Sequence, residues 1–209
     1  MARLSATARI VIVAVLAGVL GVAVGLAFNG GGPLMGPLLR TEPGQRMLQR
    51  VVALDAPDAP VGVEIATRGS AIPSFALPAL DGSTVTLPDA YAGRPILINF
   101  WASWCGPCIV EMPELDRFAD SQDAIGTQVI GIALDRPEEV RSFLRHTRVD
   151  YPILIDTPGP ADTSVRMGNP RGVLPYTVLI GTDGRLLKQK IGPFVHGEID
   201  GWAGRPRPN

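Results

Sequence analysis

Both cysteines of the chain lie in one short stretch, "NFWASWCGPCIVEMPEL", with only Gly106 and Pro107 between Cys105 and Cys108. Upstream of them "PILINFW" is an uninterrupted apolar run, the pattern of a strand covered on both faces. Downstream "IVEMPELDRFADS" reads as a helix carrying a proline, Pro113, in mid-sequence. A Cys-x-x-Cys pair at such a junction admits three readings: a structural clip, half of a metal site, or a redox pair. A disulfide closing so small a loop excludes few unfolded conformations and stabilises little. A four-ligand zinc site needs two further Cys or His ligands, and the chain offers only His146 and His196, unpaired in sequence.

The redox reading has a mechanism. Cys105 falls where a strand ends and a helix begins, so free backbone N–H groups and the helix dipole favour its thiolate. In a Cys-x-x-Cys turn such placement lowers a thiol pKa from ~8.5 to ~7 or below. Cys108, one turn further in, is expected to be covered and to stay a thiol until it resolves a mixed disulfide formed at Cys105. Gly106 and Pro107 shape the turn, and Pro107 is tolerated because first-turn N–H groups have no helical partner.

The surrounding sequence describes an α/β domain running over residues 62–209. "VGVEIA" alternates like a half-buried strand, and "PSFALPALDGSTVTLPDA" sets Asp81 and Gly82 between two β-like runs as a hairpin. "QVIGIAL" and "YPILID" are buried strands, separated by the amphipathic helix "RPEEVRSFLRHT" with Pro137 near its first turn. "ADTSVRMG" is a short helix ending at Gly168, and "YTVLIGTDGRLLKQKIG" a second hairpin turned at Asp183 and Gly184. The tail "HGEIDGWAGRPRPN" allows at most a short helix. Strands alternating with helices and closing on a hairpin predict a central mixed sheet with helices on both faces. No GxGxxG or GxxxxGK[ST] follows any strand, so nucleotide-binding α/β classes lose support.

Hydrophobic residues make up 46% of the 209, and much of that excess is local. Residues 10–28, "IVIVAVLAGVLGVAVGLAF", carry no charge and at ~1.5 Å per residue are about long enough to cross a hydrocarbon core of ~30 Å. This run predicts a transmembrane anchor. A cleaved signal peptide is the alternative, with Ala23-Val24-Gly25 as a weak cleavage site. Arg3 and Arg9 precede the run, which leaves residues 1–9 in the cytoplasm and delivers the rest to the extracytoplasmic (periplasmic) side. That side is oxidising in most bacteria, so a vicinal cysteine pair there is a disulfide unless something reduces it. Residues 29–61 read as a Gly/Pro-rich tether, with a short amphipathic helix over "GQRMLQRVVALD". The net charge of −1 and the absence of a Lys/Arg cluster exclude a nucleic-acid partner.

"FWASWCGPC" resembles the active site of the thioredoxin superfamily. Together with "PSFALPALDGSTVTL" upstream and "GVLPYTVLIGTDGRLL" downstream, it resembles the TlpA/ResA-like branch, over about residues 70–193. That resemblance implies a thioredoxin-like fold with an N-terminal β-hairpin extension and a central αβ insertion over about 134–160. It implies that Cys105 is the exposed nucleophile and Cys108 the resolving thiol, and it places a cis-proline at Pro175, with the backbone of Leu174 beside the disulfide. Trp101 and Trp104 match family positions flanking the site. Cytoplasmic thioredoxins carry a buried Asp where this chain has Asn99. In the ResA-like branch a Glu three residues after the second cysteine takes part in proton handling, and Glu111 stands there, where the alternative is a solvated helix carboxylate.

The expected function is therefore that of a membrane-anchored thiol–disulfide oxidoreductase, more a reductase than an oxidant. The resemblance implies protein disulfides as substrates, with cytochrome c apoproteins or copper-site assembly proteins among them. No flavin or nicotinamide site is visible and no cofactor is expected, so electrons come from a membrane electron-donor protein. The rivals are an oxidant or isomerase on the same fold, a peroxiredoxin, whose N-terminal hairpin reads similarly but whose reactive Cys has another context, and a non-enzymatic anchored metallochaperone.

Overall fold

The punctuation of the sequence reappears in the order of elements. The computed structural model describes residues 39–54, 60–122 and 126–204. The chain divides into two compact units, residues 1–48 and 49–209. The boundary falls inside α1 (Glu42–Leu54), which covers the amphipathic stretch expected in the tether. The apolar run at 10–28 lies outside the described residues, as do 29–38 and 55–59 of the tether. Among the described residues no helix is long and apolar enough to cross a membrane.

In the second unit, β1 (Phe75–Pro78) and β2 (Thr84–Leu87) pair antiparallel as a separate two-stranded sheet. Their turn is built as the residues suggest. Asp81 Oδ1 accepts from Ser83 N at 2.9 Å and from Ser83 Oγ at 2.6 Å, which also lowers the Asp81 pKa. Gly82 takes φ +87°, a left-handed conformation that costs glycine nothing. A short 3-10 turn, Asp89–Tyr91, then leads into β3 (Ile96–Trp101), α2 (Gly106–Asp120), β4 (Gln128–Leu134), α3 (Pro137–Leu144), β5 (Ile153–Asp156), α4 (Thr163–Arg166), β6 (Tyr176–Ile180), β7 (Leu186–Ile191) and α5 (Glu198–Ala203).

The five-stranded sheet has the order β5-β4-β3-β6-β7. β3 pairs parallel with β4, and β4 with β5, so α2 and α3 serve as the crossovers that parallel neighbours require. β6 and β7 join antiparallel beside β3, turned where Gly184 takes φ +74°. The sheet is mixed, as the alternation of runs predicted.

β3 is central, and all six of its residues are buried. Its side chains alternate between two apolar clusters. Leu97 and Trp101 join Met112, Leu115 and Phe118 of α2, Val140 of α3, and Ile199 and Trp202 of α5. Ile96, Ile98 and Phe100 join Leu77 and Leu87 of the hairpin and Met167 at the C-terminal end of α4. The two covers are unequal: helices dominate the first face, and the hairpin with the end of α4 covers the second. Each large apolar side chain fully removed from water contributes about 1.5–3 kcal/mol, so this double-sided strand is a rigid base for whatever follows Trp101.

One expected strand is absent. The stretch "VGVEIA" pairs with no other strand. Gly62 takes φ +84°, Val63 N donates to Pro60 O at 3.0 Å in a local turn, and Val61 is fully exposed. The chain reaches the start of β7 only later, where Gly69 N donates to Leu186 O at 2.8 Å, Leu186 N donates to Ser70 O at 2.9 Å, and Ala71 bridges Arg185. Alternation marks a half-buried surface, and a ladder also needs a neighbour with free edge groups, which no residue pattern records.

Candidate active site

The end of β3 fixes the approach to the cysteines. Ser103 donates to Asp135 Oδ2 from its backbone N at 3.0 Å and its Oγ at 2.6 Å, tying the turn after β3 to the residue that follows β4. Cys105 N donates to Ala102 O at 3.1 Å, and Cys105 becomes the N-cap of α2. Its carbonyl accepts from Cys108 N at 3.0 Å and Ile109 N at 3.2 Å. Gly106 and Pro107 form the first helical positions, where a missing N–H is harmless. A Cβ on Gly106 would meet nothing within 4 Å, so this glycine leaves open surface rather than relieving a clash.

Cys105 and Cys108 are joined as a disulfide, with Cα atoms 5.3 Å apart. The expectation of an exposed nucleophile needs correcting: Cys105 is only 5% exposed, though Cys108 is wholly covered at 0%. The reason is packing, since both cysteines belong to the apolar cluster of Trp101, Ala102 and Met112, with Leu174 against it. The Leu174–Pro175 bond is cis, and Leu174 stands just before β6. Trp101 is buried against Phe143, ring centroids 5.4 Å apart. Trp104, by contrast, is 72% exposed beside the disulfide turn.

Glu111 is not a solvated carboxylate. It is fully buried on α2, one turn beyond Cys108. Its Oε1 accepts from Asn99 Nδ2 at 2.8 Å and its Oε2 from Phe194 N at 2.9 Å. Asn99 Nδ2 also donates to Thr177 Oγ1 at 3.0 Å. Burial pushes the Glu111 carboxyl up to about 7, against the pull of the two hydrogen bonds and of the Lys190 ammonium; Glu198 adds to the rise. A carboxyl poised near neutrality beside a dithiol can take or give a proton during exchange, where an ordinary carboxylate stays ionised.

Sequence reasoning did not find four contributors: Asp135, Thr177, Lys190 and the Phe194 amide. Asp135 had a signal, because it stands just past the C-terminal end of a parallel strand, where α/β folds place their sites. The others depend on strand register and loop path, which leave no local mark.

A mixed sheet with a Cys-Gly-Pro-Cys disulfide capping the helix after its central strand, and a cis-proline before the next antiparallel strand, defines a thioredoxin-like thiol–disulfide oxidoreductase. The chain belongs to the AhpC/TSA family, whose pattern matches residues 68–189. It is 28% identical over 141 residues to a thiol-disulfide oxidoreductase ResA of Bacillus cereus, covering 67% of this chain and 79% of that protein. It is 30% identical over 132 residues to the ResA of Geobacillus thermodenitrificans, covering 63% and 73%. Among solved structures, a Chlorobium tepidum chain described as a thiol:disulfide interchange protein DsbE superimposes with a TM-score of 0.54 at 29% identity, covering 61% of this chain and 87% of that one.

Proposed function

We propose that this protein reduces disulfides in other proteins on the extracytoplasmic side of a membrane, to which residues 10–28 hold it. The observation that carries the exchange chemistry is the asymmetry of the pair at the start of α2: Cys105 is the N-cap and keeps some surface, while Cys108 is sealed beneath it. In the reduced protein the Cys105 thiolate attacks one sulfur of a substrate disulfide, forming a mixed disulfide and releasing the other sulfur as a thiolate. Cys108 then loses its proton, with Glu111 as acceptor, and attacks Cys105. That step re-forms the Cys105–Cys108 disulfide and frees the second substrate sulfur. The substrate gains two electrons and two protons. A dithiol on a membrane electron-donor protein returns them by the same two exchanges in reverse.

The exposed Trp104 and the open surface over Gly106 give a protein substrate an apolar landing site. Leu174, outside the β6 ladder, offers backbone groups to an extended substrate segment. Location and tethering are supported by the uncharged run at 10–28 with Arg3 and Arg9 before it. The resemblance to the TlpA/ResA-like branch points to cytochrome c apoproteins or copper-site assembly proteins as substrates.

Two experiments test this reading. Cys108→Ser is expected to trap mixed disulfides through Cys105, and alkylation of the reduced protein to label Cys105 before Cys108; faster labelling of Cys108 overturns the roles. A reporter fused after Asn209 should be active only if exported and should stay with the membrane. A soluble mature form beginning near Leu26 would show a cleaved signal instead.

A further inference from the structure

Residues directly opposite one another in the sheet form a buried polar row. Asn99 on β3 faces Thr177 on β6, and Thr177 faces Lys190 on β7. All three are buried, Lys190 with only 2% of its surface exposed. At one end of the row Glu111 closes on Asn99; at the other Lys190 Nζ meets Glu198 Oε1 at 2.9 Å. The loop between β7 and α5 links the two ends. Phe194 gives its amide to Glu111, and the Lys190 ammonium sits over the Phe194 ring, 5.1 Å from its centroid. Val195 N donates to Glu198 Oε2 at 3.0 Å.

An ammonium is seldom buried without a task, because desolvation costs more than a simple ion pair returns. We propose that the Lys190–Glu198 pair is a positioning device for the redox reaction, setting from β7 and α5 the proton affinity of Glu111. This rests on the reading of Glu111 as the proton acceptor of Cys108. The pair acts through opposite signs: Lys190 favours the Glu111 carboxylate and Glu198 disfavours it. The groups that bond Glu111 directly are neutral donors, Asn99 from β3 and the Phe194 amide from the loop. The Cys105–Cys108 disulfide at the start of the same helix carries no charge. The Tyr151 hydroxyl, ahead of β5, is held above its usual range by burial first and by Glu111 second, and so carries no charge near neutrality.

The test is the pH profile of disulfide exchange by the full chain, with Glu111→Gln identifying the inflection that belongs to Glu111. Lys190→Met should move that inflection up by about one pH unit, Glu198→Gln should move it down by about as much, and the double variant should return it near its starting place. Lys190→Arg, which keeps the charge, should leave it in place and preserves a readout if Lys190→Met fails to fold. A purely structural pair would shift it in one direction for both variants, or in neither, and either result overturns the proposal. If Glu111→Gln itself leaves the inflection intact, the reading of Glu111 falls first. If Glu111→Gln removes it and the paired variants show no opposed shifts, only the role of Lys190 and Glu198 falls.

Discussion

Asn99 Nδ2 donates to Glu111 Oε1 across 2.8 Å of protein interior. The strand that ends at the redox turn and the helix that begins there are thus joined by a buried polar contact. A buried carboxyl on α2 stands within hydrogen-bond distance of the amide at position 99.

The first expectation concerns the proton on Glu111. Because its carboxyl titrates at about 7, exchange should show an inflection near that pH, and Glu111→Gln should lose it. Stability carries the same signature. A folded-state pKa raised above the unfolded value of 4.5 gives a contribution complete below about pH 4.5 and lost as pH rises through about 7. Denaturant titrations across that window should show the wild type losing stability relative to Glu111→Gln, on the order of 3 kcal/mol. A constant difference would place Glu111 among ordinary carboxylates.

Asn99 stabilises the ionised form of Glu111 through its donated hydrogen bond. Asn99→Ala should therefore raise the Glu111 inflection above its wild-type position. It should also destabilise the fold by about 1–3 kcal/mol, since Glu111 Oε1 and Thr177 Oγ1 lose a buried partner. Asn99→Ala with an unmoved inflection would show that the Asn99 bond does not contribute to the proton affinity of Glu111.

The core of this architecture was legible because each of its elements carries a local mark. "ILINFW" is apolar without a break, Asp81 with Gly82 and Asp183 with Gly184 mark turns, and Pro137 opens α3. The cysteine pair was legible for the same reason, since its junction of strand and helix is written in adjacent residues. The burial of Glu111 was not. Its neighbours on α2 give no hint that Phe194, distant in sequence, supplies an amide to its second oxygen. The row of Asn99, Thr177 and Lys190 is a matter of register between three strands, and the missing strand at "VGVEIA" a matter of having no partner. Each of these depends on contacts between distant segments.

Glu114 behaves oppositely to its neighbour Glu111. Arg117 first, then the Gly197 amide and His196, hold its carboxyl down at about 2. These contacts tie α2 to the residues that open α5. A depressed folded-state pKa gives stability present above about pH 4.5 and lost as pH falls towards about 2. Glu114→Gln should flatten this acid limb of the stability profile. An acid limb of unchanged steepness would assign it to other carboxylates.

Asp135 anchors the turn that presents Trp104 and Cys105. Asp135→Ala removes the acceptor of both Ser103 donors, and a loss of about 1.5–3 kcal/mol is expected for bonds to a charged group. Amide hydrogen exchange at Ser103 should accelerate, and disulfide exchange should slow as the turn loosens. Unchanged protection at Ser103 would mean that the strand end alone holds the turn.

The direction of exchange is the centre of the account, and the equilibrium of the Cys105–Cys108 pair against a graded glutathione or dithiothreitol series measures it. A reductase is expected to lie near the thioredoxin value of about −270 mV, with ~30 mV corresponding to ~1.4 kcal/mol for this two-electron couple. A value at about −180 mV or above, in the range of protein disulfide isomerase and stronger oxidants, would contradict it.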